Sequence, residues 1–303
     1  MSTIVSTQNL SKSYDNVYRV KEVNLKVYEG DVYGFLGPNG AGKSTTLKML
    51  LGLVKPTNGK VVVHGKDFCK NRREILNQTG SLIESPSYYG HLTGIENMRV
   101  IQRLRNVKDE NVFEALKIVR LDKQKDKKVS QYSLGMKQRL GIAMALIAFP
   151  KLLILDEPTN GLDPAGIGEI RELIKSLPKK YGITVIISSH MLSEIEQIAT
   201  SVGIINDGKL LFQGKKEQLQ KKNQYSIFIK TKDNEAAEKL LVKNGFALNI
   251  KNDFLAFKEM QDGLVAQINR MLINEGIDVI RIEEHKKSLE SIFLELTGRE
   301  RTL

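Results

Sequence analysis

The chain has 303 residues but a single cysteine, Cys69, no tryptophan and only seven prolines. One thiol excludes an internal disulfide and offers no cysteine cluster for zinc. No run approaches the roughly 18 apolar residues that a membrane span needs. The opening stretch MSTIVSTQNLSKSYDN has no apolar h-region of a signal peptide, so an intracellular chain is expected. Acidic residues are also in deficit. Asp and Glu number 35 against 46 Lys and Arg, a formal charge of +11. The excess sits early, with 30 basic and 21 acidic residues in 1–214 against 16 and 14 in 215–303. Such a surface suits nucleic acid, an anionic membrane or nucleotide phosphates, or is simply well solvated. No dense Lys/Arg block decides among these.

What is present is the composition of a globular protein, 41% hydrophobic and 27% charged. Short β-like runs and turns fill the first third (TIVSTQNL, YRVKEVNLKVYEG, DVYGFLG, GKVVVHG). A helical stretch is expected from about Gly94 to Ala148, with Val112, Leu116 and Val119 on one face. The apolar runs KLLILDEP and ITVIISSH are joined through a helix, PAGIGEIRELIKSLPKKYG. That pattern points to a parallel sheet covered on both faces. KKEQLQKKNQ reads as a linker without core residues, and strand, helix, hairpin, helix and strand follow it. The order βαββαβ predicts a small ferredoxin-like α+β domain, closed by a helix in SLESIFLELTG. The expected boundaries are 1–214, a linker at 215–223, and 224–303.

GPNGAGKS, Gly37 to Ser44, fits G-x-x-x-x-G-K-[ST] after the strand-like VYGFL and before the helical KSTTLKMLLGLV. Gly37, Asn39, Gly40 and Gly42 let backbone N–H groups wrap phosphates, and Thr45 lies in the first turn of the helix beyond them. Lys43 would reach the β- and γ-phosphates of ATP, and Ser44 would ligate Mg²⁺. About a hundred residues later, LLILDEP places Asp156 at a buried strand's C-terminal end, where open α/β sheets hold ligands. Asp156 would join the Mg²⁺ shell, and Glu157 would act as general base for the attacking water.

With these motifs in this order, residues 1–220 resemble an ABC-type ATPase. The resemblance implies an α/β fold, a P-loop core with a mixed sheet, antiparallel β and helical subdomains, followed by the small ferredoxin-like domain. It implies that Tyr14 stacks on adenine, that Asp163 of NGLD touches an opposing monomer, and that His190 senses the γ-phosphate. YSLGMKQR, 132–139, is similar to the family signature LSGGQxQR, with Leu134 for a glycine and Met136 for the glutamine. Ser133 and Gly135 keep the serine and the second glycine, so the signature is expected to cap ATP held by a second copy. Where the family has a glutamine that contacts magnesium or water, this chain has Glu84, which adds charge and loses the amide's donors.

Glu84, LIESPSYYGHLTG, YSLGMKQRLGIA and the ending SLESIFLELTG together resemble one branch, the ATP-binding subunits of bacitracin- and lantibiotic-type peptide transporters. That implies transmembrane permease subunits as partners, docked against residues 84–98. It also implies a homodimer at the cytoplasmic face of the membrane, with no nucleic acid expected. Exporters of another drug or lipid, soluble ABC ATPases of nucleic acid or ribosomes, and an ATP-holding module without turnover are the other readings. Long coiled coils, zinc modules and a second cassette, which the nucleic-acid and ribosome types carry, are missing from the sequence.

Overall fold

The computed structural model describes residues 2–221, 225–251, 253–258 and 260–286. The chain divides into two compact units, 1–216 and 217–303.

The first unit runs β1 (Thr3–Tyr14), β2 (Val17–Val23), β3 (Lys26–Tyr28), β4 (Val32–Leu36), α1 (Lys43–Leu50), β5 (Asn58–Val63), β6 (Lys66–Asp67), α2 (Phe68–Asn77) and β7 (Thr79–Leu82). It continues through α3 (Gly94–Arg105), α4 (Asp109–Ile118), α5 (Leu134–Leu146), β8 (Leu152–Asp156), α6 (Pro164–Tyr181), β9 (Thr184–Ser189), α7 (Leu192–Ile198), β10 (Ser201–Asn206) and β11 (Lys209–Lys215). One sheet has the order β11-β10-β4-β9-β8-β7, parallel except for the β10–β11 hairpin. Every residue of β4, β8 and β9 is buried, which is why these strands read as unbroken apolar runs. A second, antiparallel sheet runs β2-β1-β5-β6, with β3 also on β1.

Leu47 and Leu50 of α1 share one buried cluster with Ile4, Val5 and Leu10 of β1 and with Leu152 and Ile154 of β8. The helix after the glycine loop is therefore tied to both sheets. Truncating Leu47 to alanine in such a core costs about 2–5 kcal/mol.

The single helical stretch expected over 94–148 is three helices. Thr93 and Glu96 form a reciprocal cap at the start of α3, and Asn106 ends it in the left-handed conformation. Ser133 starts α5 anew by accepting the Met136 N–H at 3.3 Å. The polar segment 119–133 between α4 and α5 holds only two short 3₁₀ turns. Its run of lysines and aspartates lacks the apolar period a longer helix would need.

α8 (Lys216–Lys221) follows β11 across the boundary at 216/217, largely where the linker was expected, and Leu219 within it is buried. One apolar side chain among charged neighbours was enough for a helical turn to take root there. β12 (Tyr225–Thr231), α9 (Asn234–Lys243), β13 (Asn249–Lys251), β14 (Phe254–Lys258), α10 (Asp262–Asn274) and β15 (Val279–Lys286) follow. Their sheet order, β13-β14-β12-β15, is antiparallel throughout and has the ferredoxin-like arrangement. Ile227, Ile229, Leu255 and Phe257 from the sheet pack with Ala237 and Leu241 of α9 and Ile268 and Leu272 of α10. The helix expected at 288–298 lies outside the described residues.

Candidate functional site

The loop between β4 and α1 turns on glycine. Gly40 and Gly42 have φ of +81° and +105°, a region that side chains disfavour. A Cβ on Gly42 would lie 2.6 Å from the Arg19 carbonyl oxygen, so the loop seats against β2 only because none is there. Asn39 and Gly40 are exposed, while Gly37 is buried and Ser44 and Thr45 are half-buried.

Lys43, 4% exposed, donates to the carbonyls of Gly37 at 2.8 Å and Pro38 at 3.2 Å. Its ammonium also stands 3.3 Å from Glu157 Oε1. The other oxygen of that carboxylate is 3.2 Å from His190 Nδ1, so Glu157 joins the phosphate-loop lysine to the histidine after β9. The backbone of Glu157 is left-handed, with φ +47°, a strain of about 1–2 kcal/mol for a residue with a Cβ. Ser188 holds the turn. Its hydroxyl donates to Asp156 Oδ1 at 2.5 Å and accepts the Glu157 N–H at 2.9 Å.

Behind these groups lies a buried carboxylate that the motifs do not include. Glu194, 2% exposed, accepts the hydroxyls of Thr159 at 2.7 Å and Ser189 at 2.9 Å. Ser189 in turn accepts the Met191 N–H at 2.9 Å. Glu194 thus ties the segment after Glu157 to the segment around His190. The sequence signals were two hydroxyls, Ser188 and Ser189, at the end of an otherwise apolar strand, and an acid four residues after His190. Nothing local showed that this acid turns inward.

Ser44, Glu84, Asp156 and Glu157 line one cavity of about 470 Å³. Glu84 is left-handed at φ +62°, and its Oε1 meets Lys48 Nζ at 2.5 Å, so a cation from α1 is paired with its charge. Ser133, Gly135 and Asp163 line a different cavity, of about 440 Å³. Asp163 caps α6 by accepting the Gly166 N–H at 3.1 Å. Leu134, 56% exposed, lines both cavities. Tyr14 lines neither. It is 46% exposed, with Lys12 Nζ 4.7 Å from its ring centre.

The two sets of predicted residues therefore line two cavities that adjoin at Leu134. The first set fits Mg-ATP: open glycines, a buried ammonium, and a hydroxyl and a carboxylate that supply the hard oxygens Mg²⁺ prefers. Among the described residues no cluster of three His, Cys, Asp or Glu could hold a metal ion.

Residues 20–160 match the family model described as ABC transporter. The bacitracin transport ATP-binding protein BcrA of Bacillus licheniformis is 44% identical over 98% of both chains. The lantibiotic transport ATP-binding protein SrtF of Streptococcus pyogenes is 47% identical over 69% of this chain and 90% of its own. A dimeric ATP-binding cassette in a post-hydrolysis state, bound to ADP and Pi, superposes with a TM-score of 0.63 at 28% identity, covering 70% of this chain and 98% of that one. The chain belongs to the ATP-binding subunits of ABC transporters, and it is an ATPase of that class. No helix among the described residues is long and apolar enough to cross a membrane.

Proposed function

We propose that two copies of this chain hydrolyse Mg-ATP at the cytoplasmic face of a membrane, driving permease subunits that remove bacitracin- or lantibiotic-like peptides. The observation that carries the pairing is that no single cavity holds both residue sets. Ser44, Asp156 and Glu157 line one, and Ser133, Gly135 and Asp163 line its neighbour across Leu134, leaving the second set for the nucleotide of another copy. The dimeric relative bound to ADP and Pi supports it. The cargo class rests on relatives named for bacitracin and lantibiotic transport.

In this reading Lys43 swings from Glu157 to the phosphates, and Ser44 and Asp156 would hold Mg²⁺, whose charge would offset that of the phosphates. Glu157, freed from Lys43, takes the proton of the attacking water, and His190 stays hydrogen-bonded beside it. Ser133, at the N-terminus of α5, offers its hydroxyl and the helix N–H groups to the nucleotide of the partner copy. Tyr14 supplies an exposed ring for adenine, and residues 84–98 face the permease.

The test compares cells carrying the native chain with cells carrying Glu157→Gln, at equal expression, across bacitracin, several lantibiotics and unrelated drugs. Selective sensitisation to one peptide class is expected. Equal resistance across the panel would overturn the cargo assignment, leaving the ATPase in place.

A further inference from the structure

A third cavity, of about 890 Å³, lies in the first unit, and none of the residues assigned to ATP lines it. Its walls come from the end of α4, from α5, from α6 and from the turn after α7. Lys117, Arg120, Lys179 and Lys180 line it, together with Arg139, Lys175 and Lys216, so seven cations face three carboxylates. Each carboxylate is engaged. Glu169 pairs with Arg139 at 3.5 Å, Glu172 with Lys175 at 3.2 Å, and Glu114 with the Tyr181 hydroxyl. No carboxylate lies within ion-pair distance of Lys117, Arg120, Lys179 or Lys180 among the described residues. Arg139 keeps its Nε buried with no acceptor.

The ordinary explanation for such lysines is the negative end of a helix, and Lys117, Lys179 and Lys180 do sit in last turns. It is insufficient in magnitude. Three C-termini, of α4, α6 and α7, contribute roughly −0.5 each, against a formal balance of +4 from the side chains. A surplus of about 2.5 charges remains in a concavity, where low-dielectric walls focus the field.

We propose that this crevice binds a small anion carrying several phosphates in series, either inorganic polyphosphate or the phosphate chain of a nucleotide. The choice of a chain over a single phosphate rests on the several cations, carried on different helices, that line a cavity of about 890 Å³. The crevice is also joined to the signature. Arg139 and Glu169 line both it and the cavity of Ser133 and Gly135. An anion that competes with Glu169 for Arg139 acts on α5 at one side of the crevice and on the signature cavity at the other.

The experiment is a calorimetric titration of sodium tripolyphosphate, in chelator, into the full chain carrying Lys43→Ala, which disables the phosphate loop. One saturable site per chain is expected, weakening as salt rises. Adding Lys117→Ala, Lys179→Ala and Lys180→Ala should weaken it at least tenfold, and arginine at all three positions should restore it. Should the alanine variant fail to fold, Lys117→Gln alone should weaken binding severalfold. A nucleoside tetraphosphate binding tenfold tighter assigns the nucleotide source; equal affinity assigns the inorganic one. No saturable site, unaltered affinity in folded alanine variants, or binding of acidic polymers alone overturns the proposal. ATP binding by the chain with Lys43 intact is read separately, so failure here leaves the ATPase reading untouched.

Discussion

The phosphate-loop side and the signature side of this ATPase are built by different means. Around Lys43 and Asp156, both at 4% exposure, the charges sit among hydroxyls and carbonyls at defined distances. Ser133, by contrast, is exposed, and its visible task is capping α5. A buried charge without partners is costly, so the first side needs its scaffold complete within one chain. The second side has few internal partners. In the proposed reading, catalytic chemistry belongs with the first side and recognition of the neighbouring copy's nucleotide with the second.

This contrast sets an order of expected effects. Glu157→Gln removes the general base and should lower ATP turnover by about 10²-fold or more with ATP still bound. Turnover within tenfold of the native rate would remove Glu157 from that role. Next comes Glu194, which acts through Thr159 and Ser189 and touches no reacting atom. Glu194→Ala takes the acceptor from the buried Thr159 hydroxyl, at about 1–3 kcal/mol, leaves Ser189 only the Met191 carbonyl at 3.4 Å, and should lower kcat far more than it raises KM for ATP. Glu194→Gln, which keeps an acceptor oxygen, should recover most of the rate. If alanine and glutamine behave alike, the carboxylate is not a positioning residue.

On the signature side, Ser133→Ala should cost about 1 kcal/mol of stability through the lost helix cap. ATP affinity of the isolated chain should stay unchanged while turnover of the pair falls. A loss of nucleotide binding equal to the loss of turnover would erase the distinction between the sides. The smallest effect belongs to α3. The Thr93 backbone N–H and hydroxyl hold the Glu96 carboxyl below its ordinary value. A depressed folded pKa stabilises the protein above the unfolded value, and the gain is lost as pH falls through the folded one. Glu96→Gln should therefore lower the melting temperature slightly at pH 7, with the difference vanishing in acid.

Much of this was legible in the linear text because the motifs are local. Gly40, Gly42, Lys43 and Ser44 act through one turn and the helix behind it, so spacing alone exposes them. Asp156 and Glu157 were visible because an apolar strand must end somewhere, and these acids end it. Glu194 was not visible, since an amphipathic helix containing Glu194 and Glu196 does not say which acid points inward. Glu84 was read as a group facing magnesium, and its pairing with Lys48 joins residues 36 positions apart. The stretch 215–223 was read as a linker without core residues, but Lys216–Lys221 is a short helix with Leu219 buried, and one anchoring side chain among charged neighbours is a weak signal.

The sequence by itself determined the kind of chemistry, because a phosphate loop, an acidic strand end and a terminal histidine require those residue types at those spacings. It also determined the ferredoxin-like order of the second unit through alternating periods of two and 3.6. Only the tertiary structure decided that Glu157 stands between Lys43 and His190, that Glu194 lies buried behind them, and that unpaired cations from separate helices share one crevice. Those are meetings of distant residues, set by how helices and strands pack, and no local pattern records which side chains face one another.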